Sequence, residues 1–239
     1  MPAACLRPLL RLLAVAAVLA AAAAAAPARA QGSLLVYGDE PRSTDLQRFT
    51  RWVGALNRHA TDMMAAPERC AKGDQGYCFL GNYDSYLGDV AALPRRDQIT
   101  AVNSFVNQIA YVEDQQNYGI SDYWASPLEL FRNGGDCEDF AIAKYIAFRR
   151  LGFTDDEMRL WVVRDVRREV NHAVLTIALD GRTYVLDSLT SEVLPAEAVT
   201  RYRPIYSINA SAWWLHDLEL ARVAASDNVA ADRSASIAR

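Results

Sequence analysis

From Cys137 to Leu151 the chain is apolar on most faces, with Phe140, Ala141, Ile142, Tyr145, Ile146 and Phe148 spread around a helical repeat. A helix with that pattern belongs in the middle of a fold, covered by other elements. Gly152 is placed to end it. The segment leading in is Asn133-Gly134-Gly135-Asp136-Cys137-Glu138-Asp139-Phe140. The glycine pair closes a loop, and Cys137 stands where the helix begins. Unpaired N–H groups and the positive end of the helix dipole favour a thiolate there, and the thiolate is the form that attacks carbonyls. The plainer reading of Cys137 is a buried, inert thiol. What separates the two is whether a histidine and a carboxylate stand nearby.

The remaining elements are read from periodicity. Leu46, Phe49, Trp52, Val53 and Leu56 predict a helix over Leu46 to Met64, with Ser43 or Thr44 as its cap. Ala66 to Gly88 reads as polar, glycine-rich and irregular. Pro94 to Val112 predicts a second helix, and Asn117 to Asn133 an aromatic-rich loop. Beyond Gly152 the period shortens. Met158 to Val166, Asn171 to Leu179 and Thr183 to Leu189 read as strands, and Tyr202 to Asn209 as a further one. Helices first and antiparallel strands after predict an α+β fold, with the Cys137 helix packed on the sheet.

Asp180-Gly181 is a strong hairpin signal. A two- or four-residue connection centred on it sets Val174 opposite Asp187. His172 then lies two residues along on the same side of the same strand, within diagonal reach. A three-residue connection would slip the register by one and separate them. A helix covering that face would carry Cys137 toward His172. The expectation is a Cys–His–Asp triad: Cys137 attacks, His172 takes and returns the proton, and Asp187 orients the ring. The backbone N–H of Cys137 is the expected oxyanion donor, with Trp124 or another side chain of the preceding loop as a second. A purely structural role is the plainer reading of any one strand histidine or aspartate. His59 and His216 have no comparable setting, and His216, after Trp213-Trp214-Leu215, reads as a packing or surface residue.

Arg7 and Arg11, an alanine-rich run from Leu12 to Ala26, and Ala28-Arg29-Ala30 predict a signal peptide over residues 1–30. An uncut membrane anchor is the alternative, though the run is short for a span. Residues 31–220 would form one domain, and Ala221 to Arg239 a tail without periodicity. Export implies an oxidising setting. There Cys70 and Cys78 are the natural disulfide pair and Cys137 is left over. A zinc site of Cys70, Cys78 and His59 is the alternative. The net charge of −4 becomes more negative without the leader's three arginines, which argues against nucleic acid as a partner. Asp136, Glu138 and Asp139 admit two readings. They are a cap and first-turn acids favoured by the dipole, or oxygen ligands for a hard cation such as Ca²⁺. Pointed at the sulfur, they would raise its pKa.

Asp122-Tyr123-Trp124-Ala125-Ser126-Pro127 and Gly134-Gly135-Asp136-Cys137-Glu138-Asp139-Phe140-Ala141-Ile142-Ala143-Lys144-Tyr145 together resemble the bacterial transglutaminase-like cysteine peptidases, the LapG-like family. Asn171-His172-Ala173-Val174-Leu175, Val185-Leu186-Asp187-Ser188, Pro204-Ile205-Tyr206-Ser207-Ile208-Asn209 and Trp213-Trp214 continue the likeness, which runs from about Leu46 to Leu218. The resemblance implies a papain-like, transglutaminase-type fold with the nucleophile at the N-terminus of a central helix. It implies a triad of Cys137, His172 and Asp187, and Ca²⁺ held by Asp136, Glu138 and Asp139. It also implies a periplasmic endopeptidase that cuts a large biofilm adhesin. The partner it implies is the periplasmic domain of a cyclic-di-GMP-responsive inner-membrane receptor. Two alternatives share the fold: an acyl transferase (a transglutaminase or amidase), and a binding module that has lost activity.

Overall fold

A computed structural model of the chain describes residues 40–217 together with Leu35, Glu219 and Ala221. The expected leader, the domain limits at 30 and 220, and nearly all of the expected tail lie outside the described residues.

After a two-residue strand β1 (Arg42–Ser43), the helices follow in sequence: α1 (Thr50–Ala71), α2 (Gln75–Val90), α3 (Arg95–Val106), α4 (Asp114–Asn117), α5 (Pro127–Asn133) and α6 (Cys137–Arg150). The first starts later and ends later than its apolar spacing predicts. Ser43 does not cap it, because its backbone pairs with Trp213 in the sheet. Its hydroxyl instead accepts the Asp45 N–H in a local turn. At the far end α1 continues through Pro67 to Ala71.

The segment read as irregular is largely the helix α2. Asp74 caps it, accepting the Gly76 N–H at 3.2 Å. Leu80, Tyr83, Leu87 and Val90 form its buried stripe. Ala66, Leu80 and Leu128 pack together where α1, α2 and α5 meet. Cys70 and Cys78 are joined by a disulfide across this turn, so neither offers a thiolate to zinc.

The second half supplies β2 (Met158–Asp165), β3 (Val170–Leu179), β4 (Arg182–Leu186), β5 (Leu194–Pro195), β6 (Tyr202–Ile208) and β7 (Trp213–Leu215). Among the described residues they form one antiparallel sheet in the order β1-β7-β6-β2-β3-β4-β5. The β3–β4 turn holds Asp180 and Gly181 at φ of 52° and 74°, the double positive-φ geometry of a two-residue hairpin. Leu179 pairs with Arg182 and Leu175 with Leu186, so the expected register is the observed one.

The sheet is buried on both faces. One face packs beneath α6, with Ala173, Leu175 and Ile177 against Phe140, Ile142 and their neighbours. The other carries a second cluster that includes Trp161, Val163, Val174 and Tyr202. Residues one apart on a strand point to opposite faces, so α6 covers the face opposite to that of Val174 and His172. The expectation had it on their own face. The reason it failed is that β3 is buried from His172 through Ile177, and alternation cannot say which face of such a strand takes the helix. His216 stacks on Trp161 at 4.6 Å and bonds Ser207 Oγ at 2.9 Å, a packing residue as expected. No helix among the described residues is long and apolar enough to cross a membrane.

Candidate active site

The glycine pair fixes where α6 begins. Gly134 has φ of 74°, and a Cβ there would fall 2.6 Å from the Ala110 carbonyl oxygen. A Cβ on Gly135 would fall 2.3 Å from Asp139 Oδ2. That oxygen accepts the Asp136 N–H at 3.1 Å, one half of a capping box at the start of α6. Asp139 Oδ1 accepts the Ala125 N–H at 2.6 Å and ties the Asp122–Pro127 segment to the helix start. The same segment is held from outside. Arg58 bonds the Trp124 carbonyl and Glu129, and Tyr123 bonds Glu129 at 2.8 Å.

Cys137 is therefore the first residue of α6, half-buried, and the free cysteine among the described residues. Its thiol donates to Glu138 Oε2 at 3.1 Å. Burial, followed by the charges of Glu138 and Asp136, holds the thiol well above its usual range, against a smaller downward pull from the Ala173 N–H. The helix dipole alone would favour thiolate. Here burial, with the neighbouring acids behind it, outweighs the dipole.

His172 and Asp187 meet as the hairpin register requires. Both are buried, and His172 Nε2 lies 2.8 Å from Asp187 Oδ1. A carboxylate oxygen only accepts, so Nε2 carries a proton, and in the neutral ring the lone pair is at Nδ1. Burial would push the Asp187 carboxyl up. His172, through its hydrogen bond and charge, then Tyr202 and the Leu189 N–H, together hold it well below the usual carboxylate range. Behind it, Asn107 donates to the carbonyls of Asp187 at 2.8 Å and Thr190 at 2.7 Å, which fixes the turn after β4.

Cys137 and His172 line one cleft, a cavity of about 580 Å³ with Trp52, Trp124, Val162 and Tyr206 among its walls. Trp124 stands where expected, but its indole N–H goes to Asp122 Oδ1 at 2.8 Å. Its indole is therefore committed elsewhere, and the Cys137 backbone N–H remains the candidate.

The acids form a larger cluster than the sequence suggests. Asp136 and Glu138 are joined by Asp114 and Asp122, which come from α4 and the loop after it. Three overlapping groups each bring one ligand atom per residue within 4.8 Å of the others: Asp136, Cys137 and Glu138; Asp114, Asp122 and Glu138; Asp114, Asp136 and Asp139. Asp139 has both oxygens engaged by backbone amides, whereas Asp114 Oδ1 and Asp136 Oδ1 are buried without a hydrogen-bond partner among the described residues. Burial and mutual repulsion push Asp136 up to about 6, Asp114 to about 7 and Asp139 to about 8. Glu138 is raised well above its ordinary range for the same reasons. An all-carboxylate set with orphaned oxygens is the donor chemistry of a hard divalent cation. Asp114 carries no motif signal in the sequence. Asp122 opens the Asp122–Pro127 segment and could have been suspected from it.

A thiol at a buried helix start, sharing a cleft with a carboxylate-held imidazole on an antiparallel sheet, defines a cysteine peptidase of transglutaminase type. Residues 82–217 match the family model of the bacterial transglutaminase-like cysteine proteinases, and the chain belongs to that family. Among solved structures it is similar to Legionella pneumophila LapG in several states. The calcium-bound form is 35% identical, with 59% of this chain and 78% of that chain covered at a TM-score of 0.52. LapG in a second structure is 32% identical over 65% and 86%, and the EGTA-treated form 31% over 67% and 86%, both with TM-score 0.55. No curated protein matches the chain. The protein is a cysteine peptidase, and its substrate is a protein.

Proposed function

We propose that the protein is a periplasmic, LapG-like endopeptidase in which Cys137, His172 and Asp187 carry out the chemistry. The observation that carries this reading is the 2.8 Å bond from His172 Nε2 to Asp187 Oδ1 beside the cleft that Cys137 lines. With Nε2 committed to Asp187, His172 Nδ1 takes the Cys137 proton. The sulfur attacks the scissile carbonyl carbon, and the resulting oxyanion is met by the Cys137 N–H. As the C–N bond breaks, His172 returns the proton to the leaving amine. Water then attacks the thioester, giving its proton to His172 and freeing the acid product and the thiol.

Asp114, Asp122, Asp136 and Glu138 would hold Ca²⁺. Bound there, the cation supplies positive charge that offsets the carboxylates around the thiol. The likeness to calcium-bound LapG supports the choice of ion. By the same family resemblance the substrate is an adhesin-type cell-surface protein. The partner is the periplasmic domain of a cyclic-di-GMP-responsive receptor, and export uses the leader over 1–30.

The test compares secreted and outer-membrane proteins of cells carrying the wild type or Cys137→Ala. A surface protein retained only in the variant, with the purified variant folded and inactive, is the expected result. Cleavage by pure Cys137→Ala would remove the nucleophile assignment. Cross-linking to an added amine without cleavage would point to acyl transfer.

A further inference from the structure

The acid of the triad is held on both of its oxygens. Asp187 Oδ1 takes His172 Nε2 at 2.8 Å and the Leu189 N–H at 3.0 Å. Its other oxygen, Oδ2, accepts the Tyr202 hydroxyl and Arg201 Nη2, the latter at 3.1 Å. Arg201 also donates to the Tyr202 hydroxyl, so that oxygen accepts one proton while giving its own to Asp187. The two residues are themselves fixed. Tyr202 is 2% exposed and pairs with Asp165 as the first residue of β6, its ring centroid 5.5 Å from that of His172. Arg201 Nε lies 3.7 Å from Asp165 Oδ2. Asp165 is fully buried, and its Oδ1 accepts the N–H groups of Arg167 and Arg168 in the turn leading to the His172 strand.

A carboxylate gripped through one oxygen can still rotate about its own bond. Gripped through both, it presents Oδ1 to the ring in one orientation. Resting on the triad reading above, we propose that Tyr202 and Arg201 are positioning residues for Asp187. Tyr202 stops the carboxylate from turning. Arg201 keeps the tyrosine hydroxyl aimed and balances the two buried acids, Asp165 and Asp187. Neither lines the cleft that Cys137 and His172 share, and the Tyr202 hydroxyl and Arg201 act through Asp187 on the angle and tautomer of His172.

The experiment uses the full chain in calcium buffer. It measures the rate of Cys137 alkylation by iodoacetamide at neutral pH and the proton NMR signal of His172 Nε2–H, which His172→Gln assigns by deleting it. Tyr202→Phe keeps the ring and removes one hydroxyl. It should slow alkylation roughly tenfold to a hundredfold, the scale of a small misplacement of a reacting group, and should shift or broaden the Nε2–H signal. Arg201→Gln should act in the same direction, and Arg201→Lys should recover part of the rate. A purely structural role would lower Tm and leave the signal of the folded fraction in place, and that result would overturn the proposal. Should Tyr202→Phe fail to fold, the partly exposed Arg201 pair decides alone. Asp187→Asn separates this proposal from the triad reading. If it is slow while Tyr202→Phe and Arg201→Gln match the wild type, the positioning role fails and the triad stands. If Asp187→Asn also matches the wild type, the triad reading fails with it.

Discussion

The Cys137 thiol donates its proton to Glu138 Oε2 across 3.1 Å. Burial first, and then the Glu138 and Asp136 charges, hold this thiol in the protonated state, and the Glu138 carboxylate also belongs to the acidic cluster suited to a cation. Two functions meet on one oxygen pair. When ionised, Glu138 adds to burial in suppressing the thiolate, and as a metal ligand it could not accept the thiol proton as freely.

Glu138→Gln separates them. In chelator, removing the charge should lower the Cys137 pKa and raise the alkylation rate, about tenfold for each unit recovered while the thiol is mostly protonated. In calcium the variant should gain little more, because a ligand has been lost. Iodoacetamide kinetics with and without EGTA read both effects. A variant slower than the wild type in EGTA would show that Glu138 does not restrain the sulfur.

Calcium and pH should act on stability together. Asp136 at about 6, Asp114 at about 7 and Asp139 at about 8 all bind protons more tightly folded than unfolded. Their contribution is therefore fully present below the ordinary carboxylate range and is lost as pH rises through those values. In EGTA the Tm should fall by roughly 5 °C or more between about pH 5 and pH 8. Added calcium should raise Tm more at the upper pH than at the lower, since ionised ligands bind it better. A calcium-induced shift that is the same at both values would detach the cation from Asp136 and Asp114.

Much of this site is legible in the sequence because it depends on local rules. Asp180-Gly181 sets a hairpin register, and the register brings His172 to Asp187. Gly134-Gly135 and the apolar run after them put Cys137 at the start of a central helix. What is not legible depends on long-range packing. Asp114 and Asp122 reach the cluster from α4 and the loop beyond it, and no spacing rule links them to Glu138. The sheet face that α6 covers is hidden because β3 is buried on both sides. The helix α2 is masked by its glycines, and its burial comes from contacts with α1 and α5 rather than from propensity. The short strands β1, β5 and β7 exist through pairing alone.

Gly135→Ala should be among the most damaging small substitutions. Its Cβ would stand 2.3 Å from Asp139 Oδ2 and 2.9 Å from the Leu130 side chain. Asp139 cannot withdraw without releasing the Asp136 and Ala125 N–H groups. The expected loss is about 2–4 kcal/mol, read by urea denaturation. Calcium affinity should fall as well, because Asp136 and Glu138 are displaced with the helix start. A variant of wild-type stability would mean that the α6 start yields more easily than this packing implies.

Lys144 is buried on α6 with its Nζ unpartnered among the described residues. Burial pushes its pKa down to about 7, against a weaker upward pull from Asp187. Folding therefore works against protonation of this amine. The cost is largest below pH 7, where the amine is charged in both states, and it shrinks as pH rises from there toward the ordinary lysine range. Lys144→Met keeps the volume and removes the charge, and it should stabilise the protein by about 1–4 kcal/mol near pH 6. The gain should be smaller near pH 9. Paired denaturation curves at the two values check the sign. If the variant is less stable at pH 6, the ammonium has a buried partner that contributes more than its desolvation costs, and the pull from Asp187 is the first place to look for it.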